Sequence, residues 1–156
     1  MNNKSKFAFL PVFICLFLTI SAFGLLYLMV KFPDSGTTLP ILYFLFVLYF
    51  WLTEFRTRAH KIEFRNDKIL KREYFGLGKQ RVFEIKNLEG FNISIQPDKS
   101  GFTEYIFIIQ KGKRIASISK FYHRNYKDMK SEIEQKIKNL GLKEYKFLYE
   151  YKEMFK

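Results

Sequence analysis

Two long stretches without a charged side chain constrain this chain more than any other feature. The first, 7–30, has 24 residues, and the second, 37–53, has 17. As helices they would be roughly 36 and 26 Å long, against about 30 Å for the hydrocarbon core of a bilayer. Burial inside a soluble domain is the competing interpretation, but the remaining polar residues are too few to surround the first stretch on all sides. The sequence therefore predicts two membrane-spanning helices, at 7–30 and 37–53.

Two other interpretations of the first stretch are a cleaved signal peptide and a lipoprotein leader. The apolar part of a signal peptide has roughly 7–15 residues, and here the apolar run continues past the small pair Ser21-Ala22 to Val30. Cys15 follows the bulky residue Ile14, where a lipoprotein site requires small side chains. We therefore expect an uncleaved anchor in which Cys15 packs as a small apolar residue. A lone cysteine cannot form an internal disulfide.

The distribution of Lys and Arg predicts the orientation of the helix pair. The connecting segment 31–38 contains Lys31 with Asp34 beside it, whereas the outer flanks carry Lys4, Lys6, Arg56, Arg58 and Lys61. Because Lys and Arg accumulate on the cytoplasmic side, both termini are expected in the cytoplasm and the loop outside the cell. Neither span contains an ionisable carboxylate, histidine or basic residue, which argues against a pump, a channel or an ion-coupled transporter.

The residues after the second span change to the period-two pattern of β-strands. We expect six strands, at 61–65, 68–75, 79–85, 91–96, 104–111 and 114–120, with 104–111 central and covered on both faces. Tyr126, Met129, Ile133, Ile137 and Leu140 then recur at helical spacing. Asn125 is the expected N-cap of this helix and Gly141 its C-cap. Residues 54–60 would be the only tether between this α+β module and the membrane.

The segment "KIEFRNDKILKREYFGLGKQRVFEIKNLEGF" combines a strand, an Asn/Asp turn, a second strand, a glycine turn and a third strand. Together with the two helices before it, this order resembles the bacterial pleckstrin-homology-like membrane proteins over roughly residues 60–140. The resemblance implies an antiparallel, partly open β-barrel of six or seven strands capped by a C-terminal helix, and no common ligand. A seventh strand would be hidden in 53–60 or missing. The resulting division is a helical hairpin at 1–56, a pleckstrin-homology-like domain at 57–141 and an aromatic, basic tail at 142–156.

Few residues suggest catalysis. The two histidines, His60 and His123, lie far apart in the pattern and are expected at the surface or at an interface. A metal site would require several ligands at close spacing. "FGLGK" at 75–79 precedes a strand, whereas a phosphate-binding loop opens a helix. We therefore expect no enzyme activity, no metal, no cofactor and no small-molecule substrate.

Basic charge is the strongest functional signal. Residues 53–156 carry 24 Lys and Arg against 14 Asp and Glu. The candidate contact residues for an anionic lipid surface or a protein partner are those at the strand turns: Arg65, Lys68, Lys79, Lys111, Lys113 and Arg114. The same charge would also arise if it only sets topology and solubility. Nucleic acid is a poorer fit, because aromatic residues at period two are more often core than base-stacking platforms.

Two functions remain open. The first is a non-enzymatic bacterial inner-membrane protein whose pleckstrin-homology-like domain binds a protein partner or the anionic lipid surface. The alternative is an accessory or regulatory subunit that joins a membrane complex through its helix hairpin. The tail, with Tyr145, Phe147, Tyr149 and Tyr151, is expected to pack on the domain, meet a partner or lie at the membrane interface.

Overall fold

A computed structural model of the chain describes residues 3–98, 101–146, 148, 151 and 152. It begins with helix α1, Phe9–Lys31, and helix α2, Thr38–Phe50. A 3-10 turn at Pro33–Ser35 reverses the chain between them, and Gly36 follows it at φ +86°. Helix α2 continues without a break through a π-helical turn, Trp51–Phe55, into the short helix α3, Arg56–Arg58.

The two helices lie side by side with their outer faces uncovered. The hydroxyls of Ser21 and Tyr43 are 2.8 Å apart, and the indole N–H of Trp51 donates to Oγ1 of Thr19 at 3.1 Å. Phe9–Lys31 and Thr38–Arg58 are each long and apolar enough to cross a membrane, and only 17% of the most apolar window of each is buried. A core helix of a soluble domain would be covered on most sides, so this degree of exposure does not fit that interpretation.

In the part of the chain that the structure describes, seven strands follow in two sheets. The first sheet has the order β1-β2-β3, from Lys61–Arg65, Lys68–Arg72 and Arg81–Glu84. The second has the order β6-β5-β4-β7, from Gly90–Asp98 (β4), Gly101–Gln110 (β5), Lys113–Ser119 (β6) and Asn139–Leu142 (β7). All pairs are antiparallel except β4 with β7. Helix α4, Tyr126–Lys136, lies between β6 and β7 in the chain, so the module is α+β.

The position of the seventh strand differs from both sequence expectations. Residues 53–60 are largely helical because they continue α2, and β7 instead follows α4. Helix α4 ends at Lys136, since Ile137 is already extended, and Gly141 is part of β7 at φ +97°. Gly90 makes room for this strand: a Cβ at that position would stand 2.5 Å from the carbonyl oxygen of Lys138. The parallel β4–β7 pairing depends on a glycine far away in the sequence.

The hydrophobic core lies between helix α4 and the inner faces of both sheets. Helix α4 contributes Tyr126, Met129 and Ile133. The strands contribute Ile62, Phe64, Ile69, Phe91, Ile106, Ile108, Ala116 and Ile118. Residues 105–109 of β5 are all buried, so the expectation of a central strand covered on both faces is confirmed. The two sheets share no strand ladder within the described residues.

The second and third strands are shorter than the sequence pattern suggested. Strand β2 ends at Arg72, and Tyr74–Gly76 form a 3-10 turn that continues to Gly78. We call residues 74–78 the aromatic turn. Tyr74 and Phe75 both have positive φ, at 52° and 55°, which bulky side chains seldom adopt. Such strain persists only where surrounding contacts hold it, and here those contacts come from the helix pair.

Candidate functional site

An aromatic cluster joins the helix pair to the sheets. The buried members of this cluster come from four places in the chain. They are Cys15 of α1, Phe55 at the end of the π-helical turn, Ala59 directly after α3, and Tyr122, which follows β6. Phe75 of the aromatic turn lies 5.1 Å from the ring of Phe7 and 5.5 Å from that of Phe55, measured between ring centroids. The sheets therefore pack directly on the helices, and the relative position of the two parts is fixed by side-chain packing.

The N-terminal segment before α1 makes a second connection to the sheets, through hydrogen bonds. The N–H of Ser5 donates to the carbonyl of Ile62 at 2.8 Å, and the N–H of Ile62 donates to Oγ of Ser5 at 2.8 Å. Further along, the N–H of Ala8 donates to the carbonyl of Tyr122 at 3.0 Å. This segment lies along the edge of β1 and reaches the loop after β6. The expectation that residues 54–60 are the only tether is therefore wrong.

The two histidines lie at the centre of this junction, with exposed fractions of 3% for His60 and 0% for His123. Nδ1 of His60 accepts the N–H of Ser117 at 2.9 Å, so its Nε2 carries the hydrogen and donates to the carbonyl of Arg56, also at 2.9 Å. Nε2 of His123 donates to the carbonyl of His60 at 2.8 Å. The histidines are neither at the surface nor far apart. They connect the helical segment, β6 and the loop after it.

Burial keeps both imidazoles neutral. It lowers the pKa of His60 well below its ordinary value, and the nearby ammonium of Lys71 adds to the effect. Burial also lowers the pKa of His123, although its backbone hydrogen bonds oppose the shift. Each ring already uses Nδ1 as an acceptor of a backbone N–H, so adding a proton there removes a hydrogen bond. These rings act as structural crosslinks.

A polar network lies beside the histidines. The hydroxyl of Tyr122 donates to the carboxylate of Glu54 at 3.0 Å, and Nε of Arg58 stands 3.5 Å from the same carboxylate. Burial and the Glu54 charge raise the pKa of Tyr122 well above its ordinary value. Arg58 also donates to the hydroxyl of Tyr105 on β5 at 3.2 Å. The last helical turn is thereby fixed to both β5 and the loop after β6.

The structure separates the six basic residues that the sequence singled out. Arg65 and Lys68 flank the β1–β2 turn, and Lys111 and Lys113 lie at the β5–β6 turn. The N–H of Ile85 donates to the carbonyl of Asp67, and the N–H of Gly112 donates to the carboxylate of Glu89, so the connection from β3 to β4 brings these turns to one end. At about 3.3 Å per residue, Arg65 is about 13 Å along β1 from Lys61, which adjoins the helices. These four residues form the end remote from the helix pair.

The other two candidates differ from those four. Arg114 is half-buried, and its guanidinium stacks over the ring of Phe107 at 3.4 Å from the centroid. This geometry gives it a packing role. Lys79 is exposed and follows directly on the aromatic turn, so it lies near the helix pair.

Sequence reasoning did not bring together the cations around the junction, of which only Lys79 was a candidate contact residue. We call this group the basic collar: Lys6, Lys61, Arg72, Lys79, Lys120 and Arg124. None of the six has an ion-pair partner within the described part of the chain. The acidic side chains at this end already have partners: Glu54 has Arg58, Glu63 has Lys4 at 3.7 Å, and Glu73 has Lys71 at 3.0 Å. The junction therefore presents an excess of positive charge.

One cleft opens on the collar. It has a volume of about 70 Å³ and is lined by Lys4, Lys61, Glu63, Leu70, Arg72 and Gln80. Nε and Nη2 of Arg72 donate to Oε1 of Gln80 at 3.2 and 2.8 Å, which orients the guanidinium. Three cations, Lys4, Lys61 and Arg72, and one carboxylate, that of Glu63, line this cleft, so its lining has an excess of positive charge.

No group of three or more His, Cys, Asp or Glu residues is placed to hold a metal ion in the described ranges. The tail returns to the helices, where the hydroxyl of Tyr49 donates to that of Tyr151 at 3.2 Å; Phe147 and Tyr149 lie outside the described residues.

No family model, no curated protein and no solved structure matches this chain.

Proposed function

We propose that this chain is a bacterial inner-membrane protein that crosses the bilayer twice and holds a non-enzymatic, pleckstrin-homology-like module against the anionic inner leaflet. The observation that carries the proposal is the basic collar. Its unpaired cations surround the end of the helix pair, where the bilayer surface would lie if α1 and α2 span it. Each such residue near an anionic leaflet contributes about 1 kcal/mol of attraction.

The N-terminal segment supports retention of the first helix. Residues 3–8 hydrogen-bond to β1 and to the loop after β6, so cleavage after a signal peptide would remove contacts of the folded module. The Lys and Arg distribution supports a cytoplasmic position for both termini. A three-stranded and a four-stranded sheet with a helix covering the core agree with the α+β class of the pleckstrin-homology-like arrangement, whereas β7 after α4 and its parallel pairing with β4 depart from it.

The end remote from the helices supports a second candidate, an acidic protein partner. Arg65, Lys68, Lys111 and Lys113 are exposed there. They lie more than about 10 Å beyond the collar, which is a Debye length at about 0.1 M salt. A lipid surface at the collar would attract them only weakly, so their charge would be directed at a soluble partner.

Hydrogen exchange of the full chain in lipid nanodiscs tests the lipid contact. The comparison is between phosphatidylcholine discs and discs that also contain phosphatidylglycerol. Backbone amides of 74–80 and 119–125 should exchange several-fold more slowly in the anionic discs. The difference should disappear at about 1 M salt, where the Debye length is about 3 Å.

Charge-reversal variants provide the matched control. Lys79→Glu with Lys120→Glu should abolish the protection in anionic discs, and Lys111→Glu with Lys113→Glu should leave it unchanged. Equal exchange of the collar amides in the two lipids would reject the lipid contact. If the remote variant alone lost co-purifying proteins after gentle detergent extraction, the partner interpretation would gain support instead.

A further inference from the structure

The aromatic turn packs against the apolar part of the helix pair. The ring of Tyr74 lies 5.9 Å from that of Trp51, and Trp51 in turn donates to Thr19. Trp51 belongs to the charge-free stretch 37–53, two residues before its end, and Thr19 lies within α1. Tyr74 therefore lies beside the apolar part of the helix pair and not beyond its charged ends.

The backbone of the turn is strained in a way that maintains this position. Tyr74 and Phe75 are consecutive aromatic residues at φ +52° and +55°. The N–H of Phe75 donates to the carbonyl of Ala59 at 2.8 Å, and the N–H groups of Gly76 and Gly78 both donate to the carbonyl of Glu73 at 3.0 Å. These hydrogen bonds hold the turn while the rings of Tyr74 and Phe75 contact Trp51 and Phe55 of the helices.

Leu77 follows Gly76 and carries the next side chain of the turn, which is 81% exposed. Single exposed leucines are ordinary on protein surfaces, so the exposure alone carries no conclusion. The position of Leu77 is informative because its turn is fixed beside Trp51, where lipid would surround the helices. Lys79 follows two residues later and is exposed, which matches the pairing of an apolar anchor with a cation at the phosphate layer.

We propose that the aromatic turn enters the boundary between headgroups and acyl chains, with Leu77 as its apolar anchor and the lipid of the surrounding bilayer as its ligand. The inference rests on the membrane embedding proposed above. It adds a third contact with the bilayer, made by the sheet module itself. The module would therefore be partly immersed in the membrane surface.

Spin-label accessibility of the full chain in vesicles of phosphatidylcholine and phosphatidylglycerol tests this immersion. In a Cys15→Ala background, a nitroxide is attached in turn to Leu77→Cys, to Lys86→Cys at the remote end and to Ile20→Cys on the outer face of α1. The ratio of collision with oxygen to collision with a water-soluble nickel complex reports depth. We expect the ratio at position 77 to exceed that at position 86 several-fold and to approach that at position 20.

The three positions separate the possible failures. A water-like ratio at 77 equal to that at 86, with a lipid-like ratio at 20, would overturn the immersion of the turn and leave the embedding of the helices intact. Water-like ratios at all three positions would overturn the embedding and the turn together. Circular dichroism of each labelled protein confirms that the sheets are retained.

Discussion

Protonation of the buried histidines should weaken the junction between the helices and the sheets in acid. The unfolded-state pKa of histidine is about 6.5, and burial lowers the pKa of His60 well below this in the folded chain. At a pH between those two pKa values the unfolded chain binds more protons than the folded chain. The free energy of unfolding therefore falls as the pH drops below 6.5. The maximum slope for one such group is about 1.4 kcal/mol per pH unit.

His60→Gln isolates this contribution. A glutamine can accept the N–H of Ser117 and donate to the carbonyl of Arg56, the two hydrogen bonds that the imidazole makes. The amide does not titrate, so the variant should lack the part of the acid destabilisation that comes from His60. Above pH 7 the difference in stability between variant and parent should be constant. From pH 6.5 to pH 5 the parent should lose up to about 2 kcal/mol more than the variant.

Thermal unfolding of the sheets in nanodiscs, followed by circular dichroism from pH 8 to pH 5, measures the difference. Lys86→His is the control, because an exposed histidine at the remote end keeps nearly the same pKa in both states and leaves the pH profile unchanged. Parallel pH profiles for the parent and His60→Gln would refute the assignment of a buried, neutral imidazole.

Three further substitutions test separate parts of the fold. Gly90→Ala should lower the free energy of unfolding by about 1–3 kcal/mol, because its Cβ would stand 2.5 Å from atoms of Lys138 and Leu140. Gly101→Ala is the control, since Gly101 also has a positive φ but a Cβ there would have no atom within 4 Å, and it should cost less. Chemical unfolding compares the two variants. Ser5→Ala should lower the free energy of unfolding by about 1–3 kcal/mol, because the N–H of Ile62 loses its acceptor. Hydrogen exchange at the Ile62 amide should become faster, and unchanged exchange would contradict the contact. Phe75→Ala should lower the free energy of unfolding by about 3 kcal/mol, because the ring contacts with Phe7 and Phe55 are lost. Leu77→Ala in detergent should lower it by less than about 0.5 kcal/mol, since that side chain is exposed. Equal effects of the two variants on the unfolding temperature would exclude the packing described for Phe75.

Local patterns were sufficient for much of the architecture. Two long charge-free stretches predict α1 and α2, and alternation predicts the strand at 61–65 because Ile62 and Phe64 form its core face. The strands expected at 91–96 and 114–120 are present within β4 and β6, give or take a residue at the end. The spacing of Tyr126, Met129 and Ile133 predicts α4 for the same reason. These signals are short-range, since they follow from the period of the backbone itself.

What the sequence did not reveal depends on contacts between distant residues. Strand β7 was missed because Ile137 and Leu140 fit a helical stripe as well as an extended strand, and the deciding space is above Gly90. The N-terminal segment was missed because its bonds to β1 involve backbone groups and the small side chain of Ser5. The basic collar was missed because its members come from the N-terminus, β1, β2 and the loops around them, and only folding brings them together.

Cysteine accessibility on the two sides of the membrane tests the central claim most directly. In the Cys15→Ala background, Thr37→Cys reports the loop between α1 and α2, and Lys86→Cys reports the end of the sheets remote from the helices. The account predicts that a membrane-impermeant thiol reagent applied to intact bacterial cells labels position 37 at once and position 86 only after the membrane is permeabilised. Labelling of position 86 in intact cells, or labelling of neither position before permeabilisation, would contradict a twice-spanning chain with its sheets inside the cell.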